Sequence, residues 1–311
     1  MAEDTIHRPV LLSEAIEALA IVADGIYMDL TYGRGGHSTA IVERLGASGR
    51  LIVMDRDPEA IADAERRFGA DPRVRICRGA FGTCAATAAA LGITGKVNGV
   101  LVDLGVSSAQ LDDPDRGFSF RRDGPLDMRM DPDTGQSAAE WLALASEGEI
   151  ARVLREYGEE RHARRIARTI VAERAEHPLT RTGQLQSLIA RVVPDRDPGR
   201  DPATRSFQAI RIHINGELGE IDRLLDGVLD VLAPGGRFVA IAFHSLEDRP
   251  VKRFIRKHAR GDELPVDLPV PDSARRPRLR SLGGPIHPTA AEVESNARAR
   301  SAVMRAAEKL Q

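Results

Sequence analysis

The fold is predicted most directly by one stretch of the sequence, IYMDLTYGRGGHS at residues 26–38. A short apolar run, typical of a buried strand, ends at Asp29. A glycine-rich turn, Gly33 to Gly36, then leads into a helical pattern that continues to Leu45. Glycine lets the backbone turn tightly and approach a ligand closely, and a helix N-terminus favours an anionic group. The stretch therefore predicts a strand, a ligand-binding turn and a helix.

The same alternation continues downstream. Leu51 to Met54 is an apolar run that ends at Asp55, and a carboxylate at such a strand end can accept hydrogen bonds from ribose hydroxyls. Two further apolar runs, Val74 to Cys77 and Val97 to Val102, indicate strands. Nearly continuous apolar strands separated by helices are covered on both faces, so the sequence predicts a doubly wound, parallel α/β sheet.

The pattern changes after Asp103. Residues 111–130 are rich in Asp, Arg, Gly and Pro, and only helical signals follow them. An amphipathic helix from Leu218 to Leu232 and a buried strand at residues 238–243 then return to the α/β pattern. We therefore predict a cofactor-binding domain of residues 1–105 and 215–311, interrupted by a helical substrate-recognition domain of residues 106–214.

Composition limits the class of protein. The 311 residues include 44 Lys+Arg and 46 Asp+Glu, and 42% are hydrophobic, which excludes a disordered or collagen-like chain. No apolar stretch is long enough to span a bilayer and no signal peptide is visible, so we expect a soluble, cytoplasmic protein without a membrane partner. Two cysteines, Cys77 and Cys84, exclude a disulfide framework, and no histidine spacing suits a metal site.

Two classes of nucleoside cofactor fit the glycine-rich turn: a dinucleotide and S-adenosylmethionine. The dinucleotide fingerprint places a third glycine where this chain has Ser38. An acid at the position of Asp29 would repel a pyrophosphate but attract a cationic amine or sulfonium. These two features favour S-adenosylmethionine, and a nicotinamide-dependent oxidoreductase is the alternative enzyme.

Longer motifs run along the chain in order. They are HRPVLL (7–12), DLTYGRGGHS (29–38), DLGVSSAQLD (103–112), RGFSF (116–120), GPLDMRM (124–130) and FHSLED (243–248). Together they resemble the bacterial small-subunit ribosomal RNA cytosine-N4 methyltransferases, over nearly the whole chain. The resemblance implies a class I, Rossmann-like methyltransferase fold with an inserted helical domain. It also implies S-adenosylmethionine as methyl donor and, as target, a cytidine in the decoding region near the P site.

The resemblance also implies the cofactor contacts. The glycine-turn amides suit a carboxylate, Asp55 suits the ribose hydroxyls, and Phe81 could pack on the adenine face. The expected partner is small-subunit ribosomal RNA, within the assembled subunit, and the oligomeric state is open, a homodimer included. By position, the implied cofactor residues are Gly35, Gly36, His37, Asp55, Phe81, Asp103 and Gln110.

Two residues are predicted to be catalytic. The target amine is a poor nucleophile because its lone pair is delocalised into the ring. Many amino-methyltransferases orient such an amine with an Asn/Asp-Pro-Pro-aromatic motif, but here Asp103-Leu-Gly-Val stands in its place. We predict that Asp103 or a nearby carbonyl orients the amine; alternatively, Asp103 only binds the cofactor. His244 follows the fifth strand and is predicted to contact base or phosphate, the alternative being a structural histidine.

Arginines at helical spacing are the candidates for RNA contact, although such rows are usually solvated faces. The arginines form two clusters: Arg161, Arg164, Arg165 and Arg168, and Arg275, Arg276, Arg278 and Arg280.

A non-enzymatic ribosome-assembly factor is a further alternative for the function of the chain. The intact glycine-rich turn and Asp55 argue against it.

Overall fold

A computed structural model describes residues 9–193, 201–261 and 276–311. The chain divides into two units, with boundaries after Gly105 and after Glu217. The sequence pattern predicts the second boundary at residue 214, before the end of a helix that closes at Asn215. Gly216 adopts a left-handed conformation there and separates that helix from the next. The functions expected of the two parts stay predictions.

The first unit contains one seven-stranded sheet. Its strands are β1 (Ile26–Asp29), β2 (Arg50–Asp55), β3 (Val74–Arg78), β4 (Val97–Asp103), β5 (Leu232–Ala242), β6 (Leu279–Ser281) and β7 (Val303–Lys309). The spatial order is β3-β2-β1-β4-β5-β7-β6, and β7 runs antiparallel to both of its neighbours. This confirms the predicted class I methyltransferase fold. The pattern leaves residues 301–306 open between strand and helix; Ser301 ends a 3-10 turn, and residues 303–306 begin β7.

Helices cover both faces of the sheet. Met28 and Val100 belong to one apolar cluster, whereas Tyr27 and Leu101 belong to the other, as the alternation of side chains along a strand requires. The helices of this unit are α1 (Leu12–Leu19), α2 (Gly36–Val42), α3 (Pro58–Phe68), α4 (Cys84–Ala90), α11 (Glu217–Val231), α12 (Ser245–Arg260) and α13 (Ala290–Ser295), of which α11 starts at the unit boundary. No helix in the described ranges is long and apolar enough to cross a membrane.

The second unit is built from helices around its own apolar core. The sequence pattern did not predict its last helix, residues 204–215. Arginine and histidine side chains obscure the apolar face of that helix, which includes Phe207 and Ile210. The helices are α5 (Ser108–Asp112), α6 (Ala138–Leu144), α7 (Glu147–Gly158), α8 (Ala163–Glu176), α9 (Thr182–Val192) and α10 (Thr204–Asn215).

Asn215 fixes the irregular segment before α6. Its Oδ1 accepts a hydrogen bond from Met130 N (2.8 Å), and its Nδ2 donates to the Met128 carbonyl (2.8 Å). Met128 has a φ of 65°, a left-handed conformation that a bulky side chain rarely adopts. One buried amide therefore holds a strained loop against α10.

We predict that Asn215→Ala lowers the free energy of unfolding by about 2–3 kcal/mol, because it leaves a buried N–H and a buried carbonyl without that partner. Urea titration followed by circular dichroism measures the loss. Asn296→Ala is the matched control: Asn296 caps a short surface turn through Arg298 N, and its loss should cost about 1 kcal/mol or less. Equal losses in the two variants would contradict the role of Asn215.

Candidate cofactor and substrate site

Acidic side chains gather at the carboxyl edge of the sheet. Asp55, Asp29 and Asp103 end β2, β1 and β4, which are neighbours in the sheet. Glu247 lies in the first turn of α12, directly after β5. Ligands of open α/β sheets bind at this edge, where the strand order reverses. The structure thus brings together acids that are distant in sequence.

Asp29 is buried rather than turned toward a ligand. Its carboxylate is 1% exposed and accepts hydrogen bonds from Ser38 Oγ (2.6 Å) and Thr31 N (3.2 Å). Burial raises the pKa of Asp29 to about 6. The sequence argument places a cationic ligand group beside this acid; the structure instead covers it with Ser38 and Thr31. Asp29 therefore positions the glycine-rich turn.

The glycine-rich turn depends on the absence of side chains. Gly35 has a φ of 71°, and a Cβ there would lie 2.5 Å from the Tyr32 hydroxyl oxygen. The Gly35 N–H donates to the Tyr32 carbonyl (2.7 Å), so it is already engaged. The N–H groups of Gly36 and His37 lie in the first turn of α2, where no carbonyl of the helix can accept them. Of the three predicted amides, these two are placed to meet a carboxylate.

Asp55 is joined to the same turn. Its Oδ2 accepts from Gly33 N (2.9 Å), and its Oδ1 accepts from Asp57 N (2.9 Å). Burial is the main cause that raises the pKa of Asp55 to about 6. A carboxylate has about four acceptor positions, so two remain for hydroxyl donors. The geometry is compatible with the predicted ribose contact.

His37 and Asp103 each bury a polar atom that has no hydrogen-bond partner: Nε2 of His37 and Oδ1 of Asp103. Their other side-chain atoms, His37 Nδ1 and Asp103 Oδ2, are 4.0 Å apart. Burial lowers the pKa of His37 to about 4, so its ring is neutral at pH 7. Burial, followed by the charges of Asp29 and Glu247, raises the pKa of Asp103 well above its ordinary value. Buried polar atoms without partners are uncommon and point to a ligand.

Glu247 is a residue that sequence reasoning missed. It is 1% exposed, and its Oε2 accepts from the backbone N–H groups of Phe243 (2.7 Å) and His244 (3.3 Å). Its Oε1 lies 3.1 Å from Nε2 of His244. An acid three residues after a helix start is the sequence signal that could have found it. This pair places the His244 ring beside Glu247, and both interpretations of His244, a substrate contact and a structural histidine, stay predictions.

The remaining predicted cofactor residues lie in different units. Phe81 is half-buried and begins a 3-10 turn after β3. Glu220 of α11 holds this turn, because its carboxylate accepts a hydrogen bond from Gly82 N (3.0 Å). Gln110 lies in the second unit, where its Oε1 accepts from Ser107 N (3.0 Å) and caps α5. Their cofactor contacts stay predictions.

The first unit offers what S-adenosylmethionine requires. Amide donors suit its carboxylate, Asp55 suits its ribose, the Phe81 ring suits its adenine, and buried polar atoms at His37 and Asp103 await partners. Across the described residues, no three His, Cys, Asp or Glu side chains are placed to hold a metal ion. The residues present fit this cofactor.

Sequence comparisons identify relatives over the whole chain. A family model described as the MraW methylase family matches residues 4–310. A curated protein of Thioalkalivibrio sulfidiphilus, named ribosomal RNA small subunit methyltransferase H, is 60% identical over 305 residues, which are 98% of this chain and 97% of that protein. A Shewanella amazonensis protein of the same name is 55% identical over 312 residues, 100% of this chain and 99% of its own.

Solved structures show weaker likeness. An rRNA methylase from Streptococcus thermophilus has a TM-score of 0.43 at 11% identity, covering 99% of each chain. A SAM-dependent O-methyltransferase from Thermotoga maritima has a TM-score of 0.43 at 12% identity, covering 100% of this chain and 69% of its own. Because both scores are below 0.5, neither bears on activity.

The buried Asp29 predicts a specific dependence of stability on pH. Its pKa is about 6 in the folded chain and 3.8 ordinarily, so between these values the folded state holds more protons than the unfolded state. Wild-type stability therefore falls as pH rises through this window and then levels off. Asp29→Asn removes this contribution, so we expect its stability relative to wild type to rise by up to roughly 3 kcal/mol from about pH 4 to pH 7.

Urea unfolding at a series of pH values measures this difference. Asp71→Asn is a control of opposite sign, because hydrogen bonds from Arg73 lower the pKa of Asp71. The stability of that variant relative to wild type should fall as pH rises. A pH-independent difference between Asp29→Asn and wild type would show that Asp29 titrates normally.

Proposed function

The chain belongs to the MraW methylase family, and we propose that it methylates N4 of a cytidine in the decoding region, near the P site, of small-subunit ribosomal RNA. Membership of a methylase family confirms S-adenosylmethionine in preference to a dinucleotide. The full-length relatives are named for ribosomal RNA of the small subunit, which supports the same substrate here. The proposal includes a cytoplasmic location and the assembled small subunit as partner.

One observation carries the catalytic part of the proposal: the Asp103 carboxyl at the end of β4. Its Oδ1 has no hydrogen-bond partner, and its side chain is 25% exposed. Its backbone N–H donates to Thr31 Oγ1 (2.6 Å), which holds this strand end in place. Asp103 thus offers a fixed acceptor at the edge where the substrate must enter.

That acceptor suits the amine of cytosine. S-adenosylmethionine supplies an electrophilic methyl group and a positive charge. Asp103 Oδ1 would accept a hydrogen bond from the amine and so aim the nitrogen lone pair at the methyl group that the bound donor would supply, with the donor's thioether as the leaving group. The nitrogen then carries the positive charge and releases a proton. A carboxylate whose pKa is raised accepts that proton more readily than an ordinary aspartate. Positioning contributes most of the rate.

RNA contact by the arginine clusters is part of the proposal. The members of the first cluster are all exposed, and Arg168 lies 3.8 Å from Glu147. In the second cluster, Arg280 pairs with Glu308 (2.7 Å). Arg275 lies outside the described residues, as do His7 and Arg8 of the first family motif. The proposed target base must be unpaired or flipped for its amine to reach Asp103.

The proposed function is tested by methyl transfer from labelled S-adenosylmethionine to small ribosomal subunits that lack this modification, followed by nucleoside analysis. We expect the label in N4-methylcytidine within the decoding region. Label in another nucleoside would overturn the proposed target atom. Binding of S-adenosylhomocysteine without any transfer would favour the assembly-factor alternative.

A second prediction separates the two roles considered for Asp103. If it orients the amine, Asp103→Asn lowers kcat by about 10- to 100-fold, because a misaimed nucleophile reacts slowly. The affinity for S-adenosylhomocysteine, measured by calorimetry, should stay within about twofold. Asp55→Asn is the contrasting variant and should weaken cofactor binding, because Asp55 holds Gly33 N. Loss of cofactor affinity in Asp103→Asn with unchanged kcat would assign Asp103 to the cofactor alone.

A further inference from the structure

Helix α12 carries an unusual density of basic side chains on its exposed surface. Its inner side buries Val251 and Ile255 against the sheet. The outer side has two flanks, each with two arginines and one lysine spaced four residues apart. We name them the groove flank, Lys252, Arg256 and Arg260, and the outer flank, Arg249, Arg253 and Lys257; all six are exposed. Neither flank was singled out by sequence motifs.

The groove flank borders a concave surface whose lining includes Lys252, Arg256 and Arg260 and no residue of the outer flank. The groove has a volume of about 310 Å³, within the range of sites that hold small ligands. It lies between α12 and the β6–β7 edge of the sheet, and small residues line it: Ala259, Ala306, Ser281, Gly283 and Gly284. Cβ atoms at both glycines would meet nothing within 4 Å, so this side of the groove is open.

The cations of the groove flank are not neutralised within the described part of the chain. None of the three side chains forms an ion pair or a hydrogen bond there. By contrast, Arg305, which also lines the groove, is neutralised by Asp248 through two hydrogen bonds of 2.5 and 2.9 Å. That pair ties β7 to α12 and keeps the groove wall in place. Counting the described residues alone, the groove therefore presents a net positive charge.

The spacing of these cations favours a polyanion over a single small anion. Residues four apart on a helix are about 6 Å apart along its axis, so the three charges form a row of about 12 Å. Lys252 lies seven residues into α12, which places the row about 10 Å along the helix from its start. The start of α12 is the edge that carries His244 and Glu247.

We infer that this groove binds phosphates of the substrate RNA backbone beside the methylated nucleotide. The inference rests on the proposed function and adds to it a surface outside both arginine clusters. Lysine and arginine side chains that neutralise phosphates supply affinity without reading sequence. The groove therefore holds the RNA strand in register while the target base enters the site at the strand ends.

Steady-state methylation of unmodified small subunits tests the inference with two matched triple variants. Lys252→Gln/Arg256→Gln/Arg260→Gln removes the groove flank. Arg249→Gln/Arg253→Gln/Lys257→Gln removes the same residue types from the same helix. We expect the groove variant to raise KM for subunits about tenfold with little change in kcat, because backbone binding is shared by ground state and transition state. The negative slope of log kcat/KM against log salt concentration should become shallower in this variant, by about 2.

The outer-flank variant should change KM less than about threefold. Equal effects of the two triple variants would overturn the groove in favour of a general basic field, and no effect of either would overturn it outright. Gly284→Asp is an independent probe, since it adds a negative charge to the open groove wall and keeps every cation; it too should raise KM. Unchanged melting temperature and affinity for S-adenosylhomocysteine establish that each variant is folded. Absence of methylation by the wild-type chain would instead reject the proposed function itself.

Discussion

The buried carboxylate of Asp29 is the interaction on which the site depends. It accepts hydrogen bonds from Ser38 of α2 and from the backbone of Thr31. Thr31 in turn accepts from the backbone N–H of Asp103. One acid at the end of β1 thus links the glycine-rich turn to the end of β4. This position removes the Asp29 carboxylate from water, and the loss of solvation raises its pKa.

Several acidic side chains lie together at the same edge. Asp29 and Glu247 both raise the pKa of Asp103, whose Oδ1 has no protein partner. Glu247 Oε2 holds the start of α12 by accepting from the backbone N–H groups of Phe243 and His244. A cation bound beside Asp103 would lower the free energy of its ionised form. This is the electrostatic reason that a sulfonium suits the site better than a pyrophosphate.

The net charge of the chain does not predict where a phosphate can bind on the first unit. The chain is nearly neutral, with 44 basic and 46 acidic residues. The arginines of this unit nevertheless fall into two kinds. Arg280 and Arg305 are held by Glu308 and Asp248 and serve the sheet. The groove flank of α12 forms no such pairs within the described chain. Local pairing, rather than net charge, decides where a phosphate can bind.

By itself, the sequence determined the layered α/β fold, the glycine-rich turn and the strand-end acids Asp29, Asp55 and Asp103. These follow from local patterns, because apolar runs and glycines act on their immediate neighbours. Only the tertiary structure decided which acids have hydrogen-bond partners for both oxygens and which keep a buried oxygen without one, as the contrast between Asp29 and Asp103 shows. It also revealed α10, the capping role of Glu247 and the side of α12 that faces a groove. Such features depend on contacts between distant segments, since β4 pairs with β5 across the whole insert, and no local pattern encodes them.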